Sequence, residues 1–258
     1  MRESDAPAAA TGGHLDRPAF YALRSGGWRD LVTLLHPPYT AWHLSYVAFG
    51  AAAAPEIHLG QLLATLGAFF LAVGVAAHAL DELNWRPLKT QLSDRSLIAL
   101  ASISLAGAIW IGFAGLFLVS ATLAPFVVVG GFLVVAYNLE LAGGRFHTDF
   151  WFAAAWGAFP ALTSWWANTL TLEHPKELAA GLLVAAGCFG LSVAQRRLSA
   201  PVRELRRRTA SVSGEQRLTD GTCVPLSVER LASPLDGALR ALSWAVVALA
   251  AGLVALRL

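Results

Sequence analysis

Residues 96 to 138 read SLIALASISLAGAIWIGFAGLFLVSATLAPFVVVGGFLVVAYN, and these 43 positions contain no Asp, Glu, Lys, Arg or His. A run this long and apolar can supply two membrane-spanning helices of about 20 residues each. Of the 258 residues in the chain, 56% are apolar and only 14% are charged, whereas a soluble domain carries about 25% charged residues. The sequence therefore predicts an all-α integral membrane protein.

Apolar runs of roughly 17 to 25 residues predict about seven transmembrane helices. The predicted spans cover residues 39–55, 58–80, 96–117, 121–138, 149–168, 177–195 and 240–256. Before them, residues 18–35 mix aromatic and leucine side chains with Arg24, Arg29 and Asp30, which predicts an amphipathic helix at the membrane interface. Residues 1–16 predict a disordered tail, and residues 17–258 a single transmembrane domain with one long loop at 196–239.

The distribution of basic residues predicts the orientation in the membrane. With seven spans and a cytoplasmic N-terminus, every Lys and Arg except Lys176 and Arg257 falls on the cytoplasmic side, as the positive-inside rule requires. The C-terminus then lies on the opposite face of the cell (inner) membrane. In the 196–239 loop, the stretch RELRRR at 203–208 predicts a short basic helix. It serves either for attraction to anionic lipid heads or as a diphosphate contact.

Several classes of function conflict with the sequence. A net charge of +2 with few soluble segments argues against nucleic-acid binding, and Cys188 and Cys223 lack the spacing of a metal site or a disulfide framework. A retinal protein needs a lysine within a span, but Lys89 and Lys176 both fall in predicted loops. The histidines do not share one helical face, which disfavours a haem or zinc site. A small-molecule transporter remains an alternative, with a helix break at Pro160.

The segment that follows the second span carries the densest set of reactive side chains. Residues 78–90 read HALDELNWRPLKT. The carboxylates of Asp81 and Glu82 and the amide of Asn84 are ligands suited to a divalent cation, while Arg86 and Lys89 suit a phosphate. The sequence alone also admits a simpler interpretation, in which a helix end that reaches water acquires charges and a proline stop.

These segments resemble the first two thirds of the UbiA superfamily of intramembrane prenyltransferases. The resemblance rests on HPP at 36–38, ALDELNWRPL at 79–88, LSDRSLIALA at 92–101, YNLE at 137–140 continuing to Arg145, and the Gly- and Pro-containing fifth span. Its order and spacing cover roughly residues 30–200. It implies helices around a central cavity, with two acidic motifs that hold Mg²⁺ and thereby bind an isoprenoid diphosphate.

The implied site has departures from the pattern of the superfamily. Asp81 stands at the position of the Asn of the first acidic motif, Glu82 at that of its first Asp, and Trp85 at that of its second Asp. The second acidic motif is not recognisable after the sixth span, where Arg196 and Arg197 stand and are suited to bind diphosphate directly. The resemblance thus implies a diverged member, with Asp81 and Glu82 catalytic and, together with Asn84, holding Mg²⁺.

The expected substrate contacts come from three loops on the cytoplasmic side. They are Asn84, Arg86, Lys89, Tyr137, Asn138, Arg145, Arg196 and Arg197. The expected activity is prenyl transfer or cyclisation of an isoprenoid diphosphate or related lipid, with aromatic rings such as Tyr137 and Trp156 available to stabilise a carbocation. A non-catalytic lipid- or isoprenoid-binding membrane protein is the principal alternative.

Overall fold

The computed structural model of the protein describes residues 18–173 and 175–258. The predicted tail at residues 1–16 lies outside these described residues. The rest of the chain is mostly helical, with one short helix followed by seven longer helical segments and one small hairpin among the residues described. The helices are α1 (Trp28–Leu34), α2 (Pro37–Ala52), α3 (Leu59–Leu83), α4 (Asp94–Leu118), α5 (Ala121–Asn138), α6 (149–169), α7 (Pro175–Arg207) and α8 (Val228–Arg257).

Three of these helices are irregular. In α3, a π-helical segment, Phe70–Ala77, separates the α-helical parts Leu59–Phe69 and His78–Leu83. In α6, the π-helical segment Ala154–Ala158 separates Asp149–Ala153 from Phe159–Thr169. Helix α5 begins with a 3₁₀ turn, Ala121–Leu123, before Ala124–Asn138, and a single helical turn, Leu141–Gly144, follows it. Both π-helical segments lie beside the candidate site.

Each predicted span coincides with one of the helices α2 to α8. Five of these helices are long and apolar enough to cross a membrane, namely α3, α4, α5, α7 and α8. Helices α2 and α6 lie outside that set. The membrane character of the protein is thereby supported, while the count of seven spans remains a prediction.

The predicted interfacial helix over residues 18–35 is wrong in its extent, because only Trp28–Leu34 is helical. Gly26 and Gly27 adopt φ values of 121° and 62° just before it, which are outside the helical range. The carboxylate of Asp30 is buried and accepts hydrogen bonds from the backbone N–H groups of Gly26 and Gln91, both at 3.0 Å. Helix α1 is therefore bound to the α3–α4 loop.

The predicted loop at 196–239 is also mostly helical. Helix α7 continues to Arg207, so the predicted basic helix is its last turns, and α8 begins at Val228 after Ser227 caps it by accepting from the Arg230 N–H. Only residues 208–227 lie outside helices, and they carry an antiparallel hairpin of β1 (Glu215–Arg217) and β2 (Cys223–Pro225). Charge marks where a helix leaves the membrane, which need not be where the helix ends.

Close helix packing and one buried ion pair hold the bundle together. A Cβ atom on Gly50 of α2 would lie 2.1 Å from the Ala161 carbonyl oxygen of α6, so only glycine allows this approach. The extensions of α7 and α8 are joined by Arg206 and Asp236, whose side chains are 2.5 Å apart and 4% and 8% exposed.

Alternate loops gather at the two ends of the bundle. At one end, the Arg257 guanidinium donates to the Ala54 and Pro55 carbonyls, and the His58 N–H donates to the Asn168 side chain at 2.8 Å. The other end collects the N-terminal segment and the loops that follow α3, α5 and α7. This alternation agrees with the separation of loops that the basic residues predict.

Candidate functional site

A large polar cavity lies at the end of the bundle where the basic loops gather. Its volume is about 790 Å³, within the usual range for small-molecule sites. The walls come from the N-terminal segment at 18–21, the start of α2, the end of α3 with its following loop, the end of α5, and the last four turns of α7. The cavity thus draws on every segment in which the sequence analysis places site residues.

Asp81 and Glu82, the predicted metal pair, have opposite environments. Asp81 lines the cavity, and its carboxylate makes no hydrogen bond within the part of the chain that the structure describes. Glu82 is fully buried, and its carboxylate accepts from the N–H of Leu88 at 2.9 Å and from the N–H and hydroxyl of Thr90 at 2.8 and 2.9 Å. Because consecutive helical residues point about 100° apart, Glu82 orders the α3–α4 loop while Asp81 faces the cavity.

The cavity does not bring together the three predicted Mg²⁺ ligands. Among residues 18–173 and 175–258, no group of three or more His, Cys, Asp or Glu side chains could hold a metal ion. Asn84, the third predicted ligand, is not among the residues that line the cavity. Asp81 is the one predicted Mg²⁺ ligand that lines the cavity, and the other carboxylates there are Glu204 and Asp236, of which Asp236 is paired with Arg206.

Positively charged side chains predominate in the cavity, and they differ in whether they form hydrogen bonds or ion pairs with other residues. Arg86 is engaged by Asp94 and by the Leu92 carbonyl, and Arg196 donates to Asp149 at 2.7 Å. The side chains of Lys89 and Arg203 line the cavity with no hydrogen bond or ion pair to any described residue. The guanidinium of Arg207 also lines it and uses its Nε–H on the Pro18 carbonyl oxygen at 3.3 Å. Arg203, Arg207 and Lys89 are therefore available to an anion.

The other predicted contacts divide between the cavity and the surface. Tyr137 and Asn138 line the cavity and are buried, with the Asn138 amide donating to the Val134 carbonyl at 2.7 Å. Arg145 and Arg197 are exposed and lie outside the lining. The structure thus brings Asp81, Arg86, Lys89, Tyr137, Asn138 and Arg196 to one cavity and leaves out Glu82, Asn84, Arg145 and Arg197.

Four histidines that were not predicted as site residues also line the cavity. They are His36, His43, His78 and His147. The rings of His36 and His78 are nearly perpendicular with centroids 4.0 Å apart, and the His147 ring stacks on Tyr137 at 4.5 Å. Helical spacing in the sequence could have indicated some of the cavity residues. Tyr39 and His43 lie one turn apart on α2, and Arg196, Arg203 and Arg207 share one face of α7.

An apolar groove between α3, α4, α5 and α6 adjoins the cavity. Its lining includes Ala68 and Ala72 of α3 with Gly112 of α4 and Gly130 of α5. Val73 and Trp156 line both the groove and the polar cavity. These two residues belong to the π-helical segments of α3 and α6, a type of irregularity that is frequent at functional sites. The polar and apolar spaces therefore meet at Val73 and Trp156.

His36 predicts a pH dependence of stability. Burial lowers the pKa of His36 well below its ordinary value of 6.5, and the neighbouring His78 and Arg207 lower it further. Below pH 6.5 the unfolded chain takes up a proton that the folded chain refuses, which costs about 1.4 kcal/mol per pH unit. We expect the melting temperature to fall from pH 6.5 to 5. It should fall less in His36→Asn, because this substitution removes the imidazole. Asn is chosen because it tolerates the φ of 45° at this position. The exposed His58→Asn should retain the wild-type slope; equal slopes in all three proteins would contradict the prediction.

The fold and the cavity define a mostly helical protein with five helices compatible with membrane insertion and a basic cavity at one end. Comparison of the sequence with models of protein families found no match, and searches against curated proteins and against solved structures also found none. The likeness to the UbiA superfamily accordingly rests on the residues quoted above and stays a proposal.

Proposed function

We propose that this protein is a membrane protein that binds an isoprenoid diphosphate, or a related lipid with a phosphate head, without a protein-held magnesium ion. The observation that carries the proposal is the junction of the two spaces. A basic cavity with cationic side chains adjoins an apolar groove between helices, and Val73 and Trp156 line both spaces. A ligand that fills both spaces needs an anionic head and a hydrocarbon tail.

The charge of the cavity supports direct binding of the head. Guanidinium groups bind phosphate through paired N–H donors without a metal, and Arg203 and Arg207 lie one turn apart on α7, where both line the cavity. Lys89 adds a third cation from the α3–α4 loop. Three cations suit the charge of a diphosphate better than that of a neutral lipid head.

The orientation of the protein is part of the same proposal. The cavity collects the loops that the positive-inside rule places in the cytoplasm. A soluble isoprenoid diphosphate made in the cytoplasm would then reach the cavity directly, while its tail enters the groove between the helices. Cysteine-accessibility labelling of the variant Arg197→Cys tests this orientation. The exposed position 197 should be labelled from the cytoplasmic side.

Binding measurements with and without a chelator test the proposed function. Farnesyl diphosphate should bind the detergent-purified protein with the same Kd in EDTA and in Mg²⁺, because the head is held by guanidinium groups. Farnesol and inorganic diphosphate should each bind at least tenfold more weakly, because each fills only one of the two spaces. Binding that requires Mg²⁺, or equal binding of farnesol and farnesyl diphosphate, would contradict the proposal.

Prenyl transfer or cyclisation is a second candidate, favoured by the rings at the junction. Tyr137 and Trp156 meet edge to face with centroids 5.5 Å apart, and Phe152 lies 6.2 Å from Tyr137. Such rings stabilise a carbocation formed when the C–O bond to the diphosphate breaks. Release of intact inorganic diphosphate from bound farnesyl diphosphate would support this candidate, and binding without any product would favour a lipid-binding protein.

A further inference from the structure

Three histidines that line the cavity have the same ring nitrogen, Nδ1, beside a backbone carbonyl oxygen. The Nδ1 atoms of His43, His78 and His147 lie 2.8, 3.1 and 3.0 Å from the backbone carbonyl oxygens of Trp156, Gly74 and Tyr137, respectively. A carbonyl oxygen only accepts hydrogen bonds, so Nδ1 carries the proton and Nε2 is left with its lone pair. A hydrogen bond from Nδ1–H to a backbone carbonyl fixes the tautomer and the orientation of a histidine whose Nε2 acts as a base.

His78 has the position that suits chemistry on a bound head group. It lies on α3 between Val73, where the cavity meets the apolar groove, and Asp81, which faces the basic part of the cavity. Five residues of helix correspond to roughly 7 Å. A tail that leaves the cavity at Val73 therefore places the first few atoms of its head, including the phosphorus atoms of a diphosphate, at the level of His78.

We propose that the cavity hydrolyses the bound isoprenoid diphosphate to the monophosphate, with His78 as the general base; this inference rests on the function proposed above. Nε2 of His78 takes a proton from a water molecule while the water oxygen forms a bond to the terminal phosphorus. The bridging P–O bond breaks, and its electron pair stays on the departing lipid monophosphate. Inorganic phosphate is released, and the proton on His78 returns to bulk water.

The cations of the cavity supply the electrostatic part of this reaction. Arg203 and Arg207 neutralise charge on the phosphoryl oxygens and on the departing monophosphate, the role that preorganised cations have in phosphoryl transfer. A departing monophosphate needs no proton, so the reaction requires one base and no acid. The neighbouring His36 ring packs against His78 and holds the base in place.

A single substitution removes the proposed base, Nε2 of His78, and keeps the hydrogen bond to the Gly74 carbonyl. In His78→Asn, the amide nitrogen occupies the place of Nδ1 and can still donate to the Gly74 carbonyl, while the Nε2 atom is lost. With farnesyl diphosphate labelled at its terminal phosphate, in EDTA, the wild-type protein should release labelled inorganic phosphate and farnesyl monophosphate. His78→Asn should lower this rate at least 100-fold, the usual effect of removing a general base, with the Kd for farnesyl diphosphate changed less than threefold.

The controls distinguish this inference from the proposed function. His58→Asn, at the opposite end of the bundle, should retain the wild-type rate. Binding without phosphate release, release of diphosphate instead, or an unchanged rate in His78→Asn would overturn the hydrolytic inference and leave binding intact. Labelled phosphate trapped covalently on His78 would overturn the role of general base. Absence of binding would instead reject the proposed function.

Discussion

Arg203→Gln is expected to weaken binding of farnesyl diphosphate by about 10- to 100-fold. The Arg203 guanidinium lines the cavity and has no hydrogen bond or ion pair to the residues that the structure describes, so its donors are free for the head group. A hydrogen bond to a charged group contributes about 1.5–3 kcal/mol, which corresponds to this change in Kd. Equilibrium binding of labelled ligand in EDTA measures the effect.

Two companion variants test whether the effect is local. Arg197→Gln removes the same charge from the same helix, but its side chain is exposed and outside the cavity lining, so its Kd should stay within twofold of the wild-type value. Arg203→Lys keeps the charge and loses the paired donors, so its Kd should be intermediate. If Arg197→Gln and Arg203→Gln weaken binding equally, the effect is one of overall charge and the assignment of Arg203 fails.

Glu82→Ala is expected to lower the free energy of unfolding by about 3–5 kcal/mol, because each buried donor left without an acceptor costs about 1–3 kcal/mol. Three donors of the α3–α4 loop lose their only acceptor in this fully buried position. Such a loss should reduce the melting temperature by about 10 °C. Thermal unfolding of the purified variant in detergent measures the change.

The neighbouring acid provides the contrast for Glu82. Asp81→Asn breaks no hydrogen bond among the described residues, so its melting temperature should differ from that of the wild-type protein by less than 2 °C, or about 1 kcal/mol at most. EDTA should leave the melting temperature of the wild-type protein unchanged. A wild-type protein that loses as much stability in EDTA as Glu82→Ala loses in buffer would restore Glu82 as a metal ligand.

Much of the fold could be predicted from hydropathy, because a membrane-compatible helix must be apolar over a fixed length. The same reasoning places helix ends poorly. Helices α7 and α8 continue well beyond their apolar parts, since Ser227 and the buried Arg206–Asp236 pair stabilise polar turns. The segment at 18–27 has the composition of an amphipathic helix, but it is not helical, and Gly26 and Gly27 have φ values outside the helical range.

The site could be predicted in part for similar reasons. The segment after α3 does meet the segments after α5 and within α7, and the structure places Asp81, Lys89 and Tyr137 in one cavity. Asp81 and Glu82 point about 100° apart on α3, and the structure places the Glu82 carboxylate on Leu88 and Thr90 instead of in the cavity. The sequence analysis includes Arg203 only within the basic stretch at 203–208, because ending the sixth span at residue 195 separates Arg203 from Arg196, with which it shares a face of α7.

The π-helical segments of α3 and α6 make the cavity sensitive to a change in chain length. Each π-helical turn holds one residue more than an α-helical turn. Deleting one residue between positions 70 and 77 would let α3 relax to a regular α-helix, because the residue removed is the extra one that the π-helical turn holds. His78 and Asp81 would keep their rotation about the helix axis, and the wall around Val73 would change. A related sequence with such a gap would keep the membrane helix and the cavity-facing residues and differ where the cavity adjoins the apolar groove, which makes this position the natural marker for sorting relatives by function.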